Sequence, residues 1–393
     1  MNAYDIADVR LNRQGLARWR SGHPWVYRAG IALVEETTGK EGLGRILDPE
    51  GRTLGSALLS RESQITLRAL TSREEPVDRD FLRGRLERAI AYRERVLPGR
   101  EATRLVFGES DGIPGLVVDR YGDHLVVQFL SYGTHVLGEE LTSLLEELLS
   151  PASILARNDP AVRALEGLPR EIVPLRGETP ETVVYREGAV TVLADLKTGQ
   201  KTGSFLDQSE NRLLAAALAR GRVLDAFCYT GGFALAVAAR ALEVIAIDVS
   251  APALARAREQ AERNGLGNVR FSEANVFDFL KQEDRAGSSY DMVVLDPPAF
   301  AKNKQELEAA LRGYKEINLR AMKLLRPGGI LLTCSCSYHL SESLMDMVLA
   351  RAAGDARRTF RVRERRHQAS DHPVRAGFPE SLYLKCQVLE FMG

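Results

Sequence analysis

The second half of the sequence alternates short apolar runs with amphipathic helical stretches, and this pattern constrains the fold more than any other feature. The apolar runs include VLDAF (223–227), VIAIDVS (244–250), YDMVVLDPP (290–298) and ILLTCSCS (330–337). Each is followed by a stretch with helical spacing, such as APALARAREQAERNG after the second run. Apolar strands that alternate with helices are typical of an open parallel sheet with helices on both faces. We therefore predict an α/β domain over residues 186–393.

Two further segments precede this domain. Residues 1–72 contain short apolar runs broken by glycine, such as TLGSALLS and ITLRAL, which indicate a small β-barrel or sandwich. Residues 73–185 begin with the charged helical stretch FLRGRLERAIAYRERVL and continue as strands, helix and strand, with Asp-Gly and Tyr-Gly-Asp turns between the strands. Because 393 residues exceed a single core, we predict three domains, 1–72, 73–185 and 186–393.

Composition narrows the class of protein. The net charge is zero and 27% of the residues are charged, as expected for a soluble globular protein. The N-terminus lacks the apolar core of a signal peptide, and no apolar run is long enough to span a bilayer. The four cysteines form neither a disulfide framework nor a CxxC pair for a metal. We expect reduced thiols, a cytoplasmic location, and neither a metal site nor a membrane partner.

Arginine is concentrated in two stretches at opposite ends of the chain. The first carries Arg10, Arg13, Arg18 and Arg20 without an acidic residue between Val9 and Tyr27, and the second, 357–375, includes Arg365 and Arg366. A solvated surface explains either stretch alone. Both together favour a polyanionic partner such as RNA, whose binding would depend strongly on salt.

The ends of the predicted strands carry a candidate ligand site. In open parallel sheets the ligand lies outside the carboxyl ends of the strands, where the strand order reverses. Asp225, Asp248 and Asn275 follow three successive strands, and Gly231 allows a tight turn after the first. The turn is not GxGxxG, which disfavours a dinucleotide, because a pyrophosphate needs that closer approach. S-adenosylmethionine has no phosphate and needs a less close approach. The alternative for the two aspartates is helix capping.

The fourth strand ends in Asp296-Pro297-Pro298. Two prolines fix the backbone, which can aim the Asp296 carboxylate and the nearby Phe300 into the mouth of a pocket. A flat aromatic ring suits a nucleobase. The alternative is a simple loop that ends the strand.

Several motifs together resemble one family. They are RSGHPWVYRAGI (20–31), LVFGESDGIPGLVVDRYGDHLVVQ (105–128), LKTGQKTGSFLDQSENR (196–212), DAFCYTGGF, DPPAF, CSCSYH and HPVRAGFPESLYLK (372–385). They are similar to motifs of the RlmI-type 23S rRNA cytosine-C5 methyltransferases and span nearly the whole chain. The resemblance implies an N-terminal PUA β-barrel, a middle α+β domain, and a C-terminal Rossmann-like class I methyltransferase domain that uses S-adenosylmethionine.

The resemblance also implies roles for single residues. Four residues would line the methionine end of the cofactor, namely Lys201, Phe205, Asp207 and Gln208. Asp225, Asp248 and Asn275 would hold its adenosyl part, and Gly231 and Asp296 would also contact the cofactor. Cys336 would be the nucleophile, and Asp296 would also contact the cytosine. The sequence departs from the family pattern at Ser209, Asn275 and Leu382, which concerns cofactor detail and substrate position. The implied partner is naked or partly assembled 23S rRNA, and the resemblance suggests a homodimer.

Cys334 and Cys336 explain how such a reaction could proceed. A thiolate that adds to carbon 6 of cytosine activates carbon 5 for methylation. Alternate residues of a strand share a face, so we expect both thiols to point the same way, with Cys336 nearer the strand end and the substrate. The alternatives are Cys334 as nucleophile, or two buried small hydrophobes. Two other functions remain open: an amino-directed methyltransferase that uses DPPAF, and a non-catalytic RNA-binding assembly factor.

Overall fold

The computed structural model describes residues 6–35, 42–301 and 304–393. The chain forms two compact units. The first unit comprises 1–185, 193–206 and 370–381, and the second comprises 186–192, 207–369 and 382–393. The division into three domains at residues 72 and 185 stays a prediction.

The first unit begins with a sheet whose strand order is β2-β6-β5-β4-β1-β3. Its strands are β1 (Ile6–Leu11), β2 (Trp25–Val26), β3 (Ile31–Val34), β4 (Leu43–Leu47), β5 (Thr53–Leu59) and β6 (Leu67–Thr71), and helix α1 (Arg13–Arg20) follows β1. Buried and exposed positions alternate along β1, as the period of a half-buried strand requires. Val9, Ile46 and Leu59 form the core together with Trp19 of α1.

A second sheet of the first unit has the order β11-β10-β9-β8-β7. Its strands are β7 (Ala102–Phe107), β8 (Leu116–Tyr121), β9 (His124–Phe129), β10 (Ser153–Asn158) and β11 (Glu171–Arg176), with helices α2 (Arg79–Val96), α3 (Tyr132–Val136) and α4 (Gly138–Leu149). Gly122 has φ +57° in the turn between β8 and β9, so the predicted turn is present. The predicted order of strands, helix and strand is found, and β11 is added to it.

The two units share a hairpin of β12 (Thr182–Glu187) and β13 (Val190–Asp195). The second unit then contains a sheet with the order β16-β15-β14-β17-β18-β20-β19. Its strands are β14 (Arg222–Ala226), β15 (Glu243–Asp248), β16 (Val269–Glu273), β17 (Tyr290–Leu295), β18 (Leu325–Ser335), β19 (Phe360–Arg366) and β20 (Lys385–Phe391). β14 to β18 are parallel, and β20 is antiparallel to both β18 and β19.

Helices cover both faces of this sheet. They are α5 (Ser209–Leu218), α6 (Gly232–Ala238), α7 (Ala251–Arg263), α8 (Val276–Arg285), α9 (Leu307–Leu324) and α10 (Glu342–Ala356). Residues of α8, α9 and α10 join the core on one face, and residues of α5, α6 and α7 join the core on the other. The predicted α/β sheet with two covered faces is therefore confirmed. Within the described ranges, every helix is too short or too polar to cross a bilayer.

Candidate active site

The strand order of the second unit reverses between β14 and β17, and the site lies at the carboxyl ends of the strands there. Asp225 is the second-last residue of β14 and Asp248 ends β15. Asp296 directly follows β17, whose residue Leu295 is in register with Ala226 of β14. Three carboxyl groups thus follow three neighbouring parallel strands.

Asp225 is fully buried and holds the turn that follows β14. Its Oδ2 accepts a hydrogen bond of 2.8 Å from the backbone amide of Ala234 in α6. Its Oδ1 is buried and has no hydrogen-bond partner among the described residues. Burial, and then the nearby Asp296 and Asp248, raise the pKa of Asp225 to about 8, so the carboxyl group is protonated at neutral pH.

Asp248 and Asn275, which the resemblance assigns to the adenosyl part of the cofactor, also accept hydrogen bonds from backbone amides. Asp248 accepts hydrogen bonds from the amides of Tyr229 at 2.8 Å and Ser250 at 2.9 Å. The exposed Asn275 caps α8 by accepting from the amide of Phe277 at 2.9 Å. The Asp225 bond reaches an amide in the first turn of α6, as the capping alternative requires, whereas the Asp248 bonds reach loop amides and α7 is capped by Ser250. Contact of the three residues with a cofactor stays a prediction.

The turn before α6 is strained where a ligand would approach. Phe227, Tyr229 and Gly231 have φ of +68°, +48° and +85°. Positive φ is costly for residues with a side chain, and such strain is concentrated at functional sites. Gly231 takes the left-handed position that precedes α6, which is the role expected for it in a tight turn.

Asp296 is joined to the segment that was predicted to line the methionine end of the cofactor. Gln208 donates from Nε2 to Oδ1 of Asp296 at 3.0 Å, and its own Oε1 accepts from Nδ2 of Asn211 at 2.7 Å. The hydroxyl of Tyr383 donates to Oδ2 of Asp207 at 2.7 Å. The structure therefore links Gln208 directly to Asp296 and orients Asp207 through Tyr383.

Lys201 and Phe205 belong to the first unit. The Lys201 ammonium lies 4.4 Å from the centroid of the Phe205 ring, within the range of a cation–π contact. Lys201 itself has φ +54°. Their contact with a cofactor stays a prediction.

The paired cysteines differ in environment, and the prediction that both thiols point the same way stays a prediction. β18 ends at Ser335, so the alternation of faces does not extend to Cys336. Cys334 is fully buried opposite Cys386 of β20, and burial raises the pKa of its thiol well above the usual range. Cys336 is exposed. The accessible thiol of the pair is therefore Cys336, whereas Cys334 is a packing residue.

The backbone on both sides of Cys336 is held by Tyr314 of α9. The hydroxyl of Ser335 donates to the Tyr314 hydroxyl at 2.9 Å, and that hydroxyl lies 2.9 Å from Oγ of Ser337. The amide of Ser337 donates to Oγ of Ser335 at 3.2 Å. All three hydroxyls are buried, so the loop that presents Cys336 is fixed by an internal network.

Lys385 supplies a positive charge next to the same loop. Its buried Nζ donates to the carbonyl oxygens of Ser337 at 2.8 Å and Tyr383 at 3.0 Å. Burial lowers the pKa of Lys385, and the negative charges of Cys336 and Glu342 raise it in opposition. An ammonium group that interacts with a thiolate also favours the thiolate.

Sequence reasoning gave no role to Tyr314 or Lys385. Lys385 had a signal, since a lysine at the start of the apolar run KCQVLEF needs a reason to be buried. Tyr314 had none, because a tyrosine in a helix is ordinarily a core residue.

Phe300 is half-buried in an aromatic cluster. Its ring centroid lies 4.6 Å from that of Tyr314, 6.0 Å from Phe277 and 6.3 Å from Phe227. The ring therefore packs on the support of the Cys336 loop. Stacking on a nucleobase stays a prediction.

The predicted RNA-binding arginines have different surroundings. Arg10, Arg13 and Arg20 are exposed. Arg18 donates to the carbonyl of Trp25 at 2.8 Å and stacks 4.7 Å from the Tyr27 ring centroid. In the second unit, Arg365 pairs with Asp346 at 3.4 Å, and Arg366 pairs with Glu364 at 3.3 Å. Their contacts with RNA stay predictions.

The residues at this edge of the sheet fit S-adenosylmethionine. The cofactor carries a sulfonium and an ammonium cation, and the strand ends carry the carboxyl groups of Asp225, Asp248 and Asp296. Oδ1 of Asp225 lacks a partner among the described residues, and an approaching cation would favour the ionised form of this group. At Gly231 itself there is no side chain that would block the approach of a ligand to the backbone.

Comparisons with known proteins agree with this fit. A family model described as S-adenosylmethionine-dependent methyltransferase matches residues 169–377, and one described as a PUA-like domain matches residues 9–72. The ribosomal RNA large subunit methyltransferase I of Shewanella amazonensis is 44% identical, and the alignment covers 92% of this chain and 94% of that protein. The protein of the same name from Vibrio cholerae is 42% identical over 94% of this chain and 96% of its own.

A solved structure shows the same fold. The crystal structure of SMU.776 in complex with SAH superposes with a TM-score of 0.83 at 19% identity, and covers 98% of this chain and 99% of that one. The predicted N-terminal PUA domain and C-terminal methyltransferase domain are thereby confirmed as fold assignments.

Proposed function

The chain belongs to the family of S-adenosylmethionine-dependent methyltransferases, so S-adenosylmethionine is its cofactor, and we propose that it methylates carbon 5 of a cytosine in 23S ribosomal RNA. The curated relatives of S. amazonensis and V. cholerae, named for the large ribosomal subunit RNA, support this class of substrate. The resemblance of CSCSYH and DPPAF to the cytosine-C5 family supports the position.

The observation that carries the proposal is the exposed thiol of Cys336 between two serines that hydrogen-bond to the buried hydroxyl of Tyr314. Tyr314 holds the residues on both sides of it, and the buried ammonium of Lys385 donates to the carbonyl oxygen of Ser337, the next residue in the chain. Asp296 follows the strand next to β18, so a carboxyl group and a thiol leave adjacent strands at the same edge. An amino-directed methyltransferase needs no such thiol.

Each residue then has a task in the reaction. The Cys336 thiolate adds to carbon 6 of the cytosine, which gives carbon 5 the electrons of an enamine. S-adenosylmethionine, when bound, supplies the methyl group that this carbon accepts. Asp296 shares a proton with ring nitrogen 3 and so favours the addition. A general base then takes the proton from carbon 5, the electrons of that C–H bond re-form the carbon 5–carbon 6 double bond, and the sulfur leaves as the thiolate. The target base must be unpaired or flipped out, which favours naked or partly assembled RNA.

The adduct itself offers a test. The protein is incubated with S-adenosylmethionine and an rRNA transcript that contains 5-fluorocytidine. After methyl transfer, the fluorine at carbon 5 cannot leave as a proton does, so the sulfur cannot leave either and the protein stays bound to the RNA. We expect a band of covalent complex on a denaturing gel with the wild type and with Cys334→Ala, and none with Cys336→Ala. An amino-directed enzyme would methylate normal transcript without forming this band. A non-catalytic factor would bind the transcript and give neither band nor methylation.

A cytoplasmic location and a homodimer complete the proposal. Size-exclusion chromatography with light scattering tests the second, and a monomer at micromolar concentration would contradict it.

A further inference from the structure

The first unit contains a groove of about 1150 Å³ that the proposed chemistry does not use. Helix α2 forms its floor with a stripe of residues at helical spacing, namely Phe81, Arg85, Arg88, Tyr92 and Arg95. A neighbouring stripe of the helix, which includes Leu82 and Leu86, is buried in the core. At a rise of about 1.5 Å per residue the stripe is about 21 Å long, which suits an extended chain better than a single small anion.

Positive charge exceeds negative charge along this groove. Arginines on three elements line it: Arg85, Arg88 and Arg95 on α2, Arg73 after β6, and Arg375. Two of its four acidic residues are already engaged by residues outside it. Asp111 pairs with Arg93 at 2.6 Å, and Glu109 accepts from the indole Nε1 of Trp25 at 2.7 Å. The other two acidic residues of the groove, Glu75 and Asp80, are outnumbered by its five guanidinium groups.

Arg85 shows the consequence of this excess. Burial lowers the pKa of Arg85, and repulsion by Arg88 and Arg375 lowers it further, against the single opposing charge of Glu75. Its Nη2 donates to the carbonyl of Leu70 at 3.0 Å, whereas its buried Nε has no partner among the residues that the structure describes. A bound anion would relieve the repulsion.

The shape of the floor also points to an occupant. Gly84 lies in the interior of α2, where glycine costs about 1 kcal/mol relative to alanine. A Cβ at this position would meet only the end of the flexible Arg88 side chain, at 3.4 Å, so packing does not require glycine here. Because glycine has no side chain, the groove is deeper at position 84, between Phe81 and Arg88.

Aromatic rings alternate with these charges. The guanidinium of Arg85 lies 4.9 Å from the Phe81 ring centroid, and that of Arg95 lies 5.6 Å from the Tyr92 ring centroid. A basic groove with interleaved aromatic side chains is the usual surface for single-stranded nucleic acid, because the cations follow the phosphates and the planar groups contact the bases. An acidic peptide would use the charges but not the rings.

We propose that the α2 groove binds a single-stranded segment of the substrate RNA through its phosphate backbone. The proposal rests on the proposed function in that the RNA is its substrate. It takes only Arg375 from the two arginine stretches of the sequence, since Arg10, Arg13, Arg18, Arg20, Arg365 and Arg366 do not line the groove. The groove would hold RNA whatever base is modified.

Affinity as a function of salt concentration tests the groove. The full-length chain is titrated into a fluorescent 23S rRNA transcript and into a single-stranded oligouridylate. Arg88→Gln combined with Arg95→Gln changes two exposed side chains. For single strands each lost phosphate contact lowers the slope of log affinity against log salt by about 0.7, so we expect a decrease of about 1.4 and a roughly 25-fold weaker affinity at 0.1 M salt.

Two further variants separate charge, shape and folding. Gly84→Leu keeps every charge, fills the groove, removes a helix-interior glycine, and is expected to weaken RNA binding without lowering the unfolding temperature. Arg83→Gln is the matched control, because Arg83 lies on the same helix but pairs with Glu147 of α4. It is expected to bind RNA as the wild type does.

The outcomes distinguish the groove from the reaction. If the double variant binds with the affinity and salt slope of Arg83→Gln, the groove proposal is wrong, and the methylation chemistry is unaffected. If the wild type binds neither RNA, the RNA substrate is wrong and the groove proposal falls with it. Cys336→Ala should bind as tightly as the wild type, since the groove and the thiol act separately.

Discussion

Tyr314→Phe tests whether the loop around Cys336 is held as the structure indicates. The substitution keeps the ring and its packing on Phe300 but removes the hydroxyl between Ser335 and Ser337. Burial raises the pKa of Tyr314, so its hydroxyl stays protonated and can donate to one serine while it accepts from the other. Two buried hydrogen bonds at about 1 kcal/mol each give an expected loss of about 2 kcal/mol in the free energy of unfolding.

Two measurements follow from this loss. For a unit of this size, about 2 kcal/mol corresponds to a decrease of about 4–8 °C in the unfolding temperature, which calorimetry detects. Released from the network, Cys336 moves away from its productive position, and misplacement on the order of 1 Å costs up to about a hundredfold in rate. We expect adduct formation with the 5-fluorocytidine transcript to slow by about tenfold to a hundredfold.

Tyr290→Phe is the matched control. Tyr290 is the first residue of β17, at the end of the sheet opposite the site, and its hydroxyl donates to Glu283 at 2.5 Å. Its loss should destabilise the protein to a similar degree and leave the adduct rate unchanged. If Tyr314→Phe and Tyr290→Phe lower stability equally and form the adduct equally fast, then the network is only structural and the reasoning is refuted.

Three other substitutions test the second unit. Gly231→Ala places a Cβ 3.2 Å from the Cβ of Ala257 at a backbone φ of +85°. We expect the free energy of unfolding to decrease by about 1–2 kcal/mol. We also expect weaker S-adenosylmethionine binding in calorimetry, and an unchanged affinity would contradict this. Asp225 has a pKa of about 8 in the folded protein, above its pKa in the unfolded chain. In the cofactor-free protein, the contribution of the protonated Asp225 to the free energy of unfolding is therefore complete at low pH and is lost as the pH rises to about 8. Asp225→Asn should flatten that part of the stability profile, and an unchanged profile in urea titrations would disprove the assignment. In the wild type, the carboxylate of Glu187 lies 2.5 Å from the buried guanidinium of Arg212. Glu187→Gln removes the charge of this carboxylate, so we expect the free energy of unfolding in denaturant to decrease by about 3 kcal/mol. A decrease below about 1 kcal/mol would count against a buried ion pair.

The fold of the second unit could be predicted because its apolar strands are buried on both faces and its helices are amphipathic. Those patterns depend only on residues that are near one another in the sequence, so they predict the strands and helices without knowledge of tertiary contacts. The strand ends were also predictable, since Asp225, Asp248 and Asp296 follow runs that read clearly as strands.

The contacts of the site could not be predicted in the same way. Cys334 and Cys336 were expected on one face because the apolar run suggested that the strand continued, whereas β18 ends one residue before Cys336. The support of Cys336 comes from Tyr314, on another helix, and from Lys385, on an antiparallel strand. Such contacts depend on how distant elements pack, and a single sequence does not encode them in any periodic pattern.

The α2 groove illustrates the same limit from the other side. The stretch FLRGRLERAIAYRERVL indicated a charged helix, but not which arginines are paired. The structure divides them, since Arg83 pairs with Glu147 of α4, whereas Arg85 and Arg88 line the groove. The presence of glycine at position 84 can be interpreted only when the groove that this residue lines is known.

The most direct test of the central claim identifies the product. rRNA from a strain that lacks this gene is incubated with the protein and methyl-labelled S-adenosylmethionine, digested to nucleosides, and the labelled nucleoside is identified. The account predicts label in 5-methylcytidine with the wild type and Cys334→Ala, and no label with Cys336→Ala. Label in a methylated purine or an N-methylated cytidine, unaffected by the loss of Cys336, would show that the exposed thiol takes no part in the reaction.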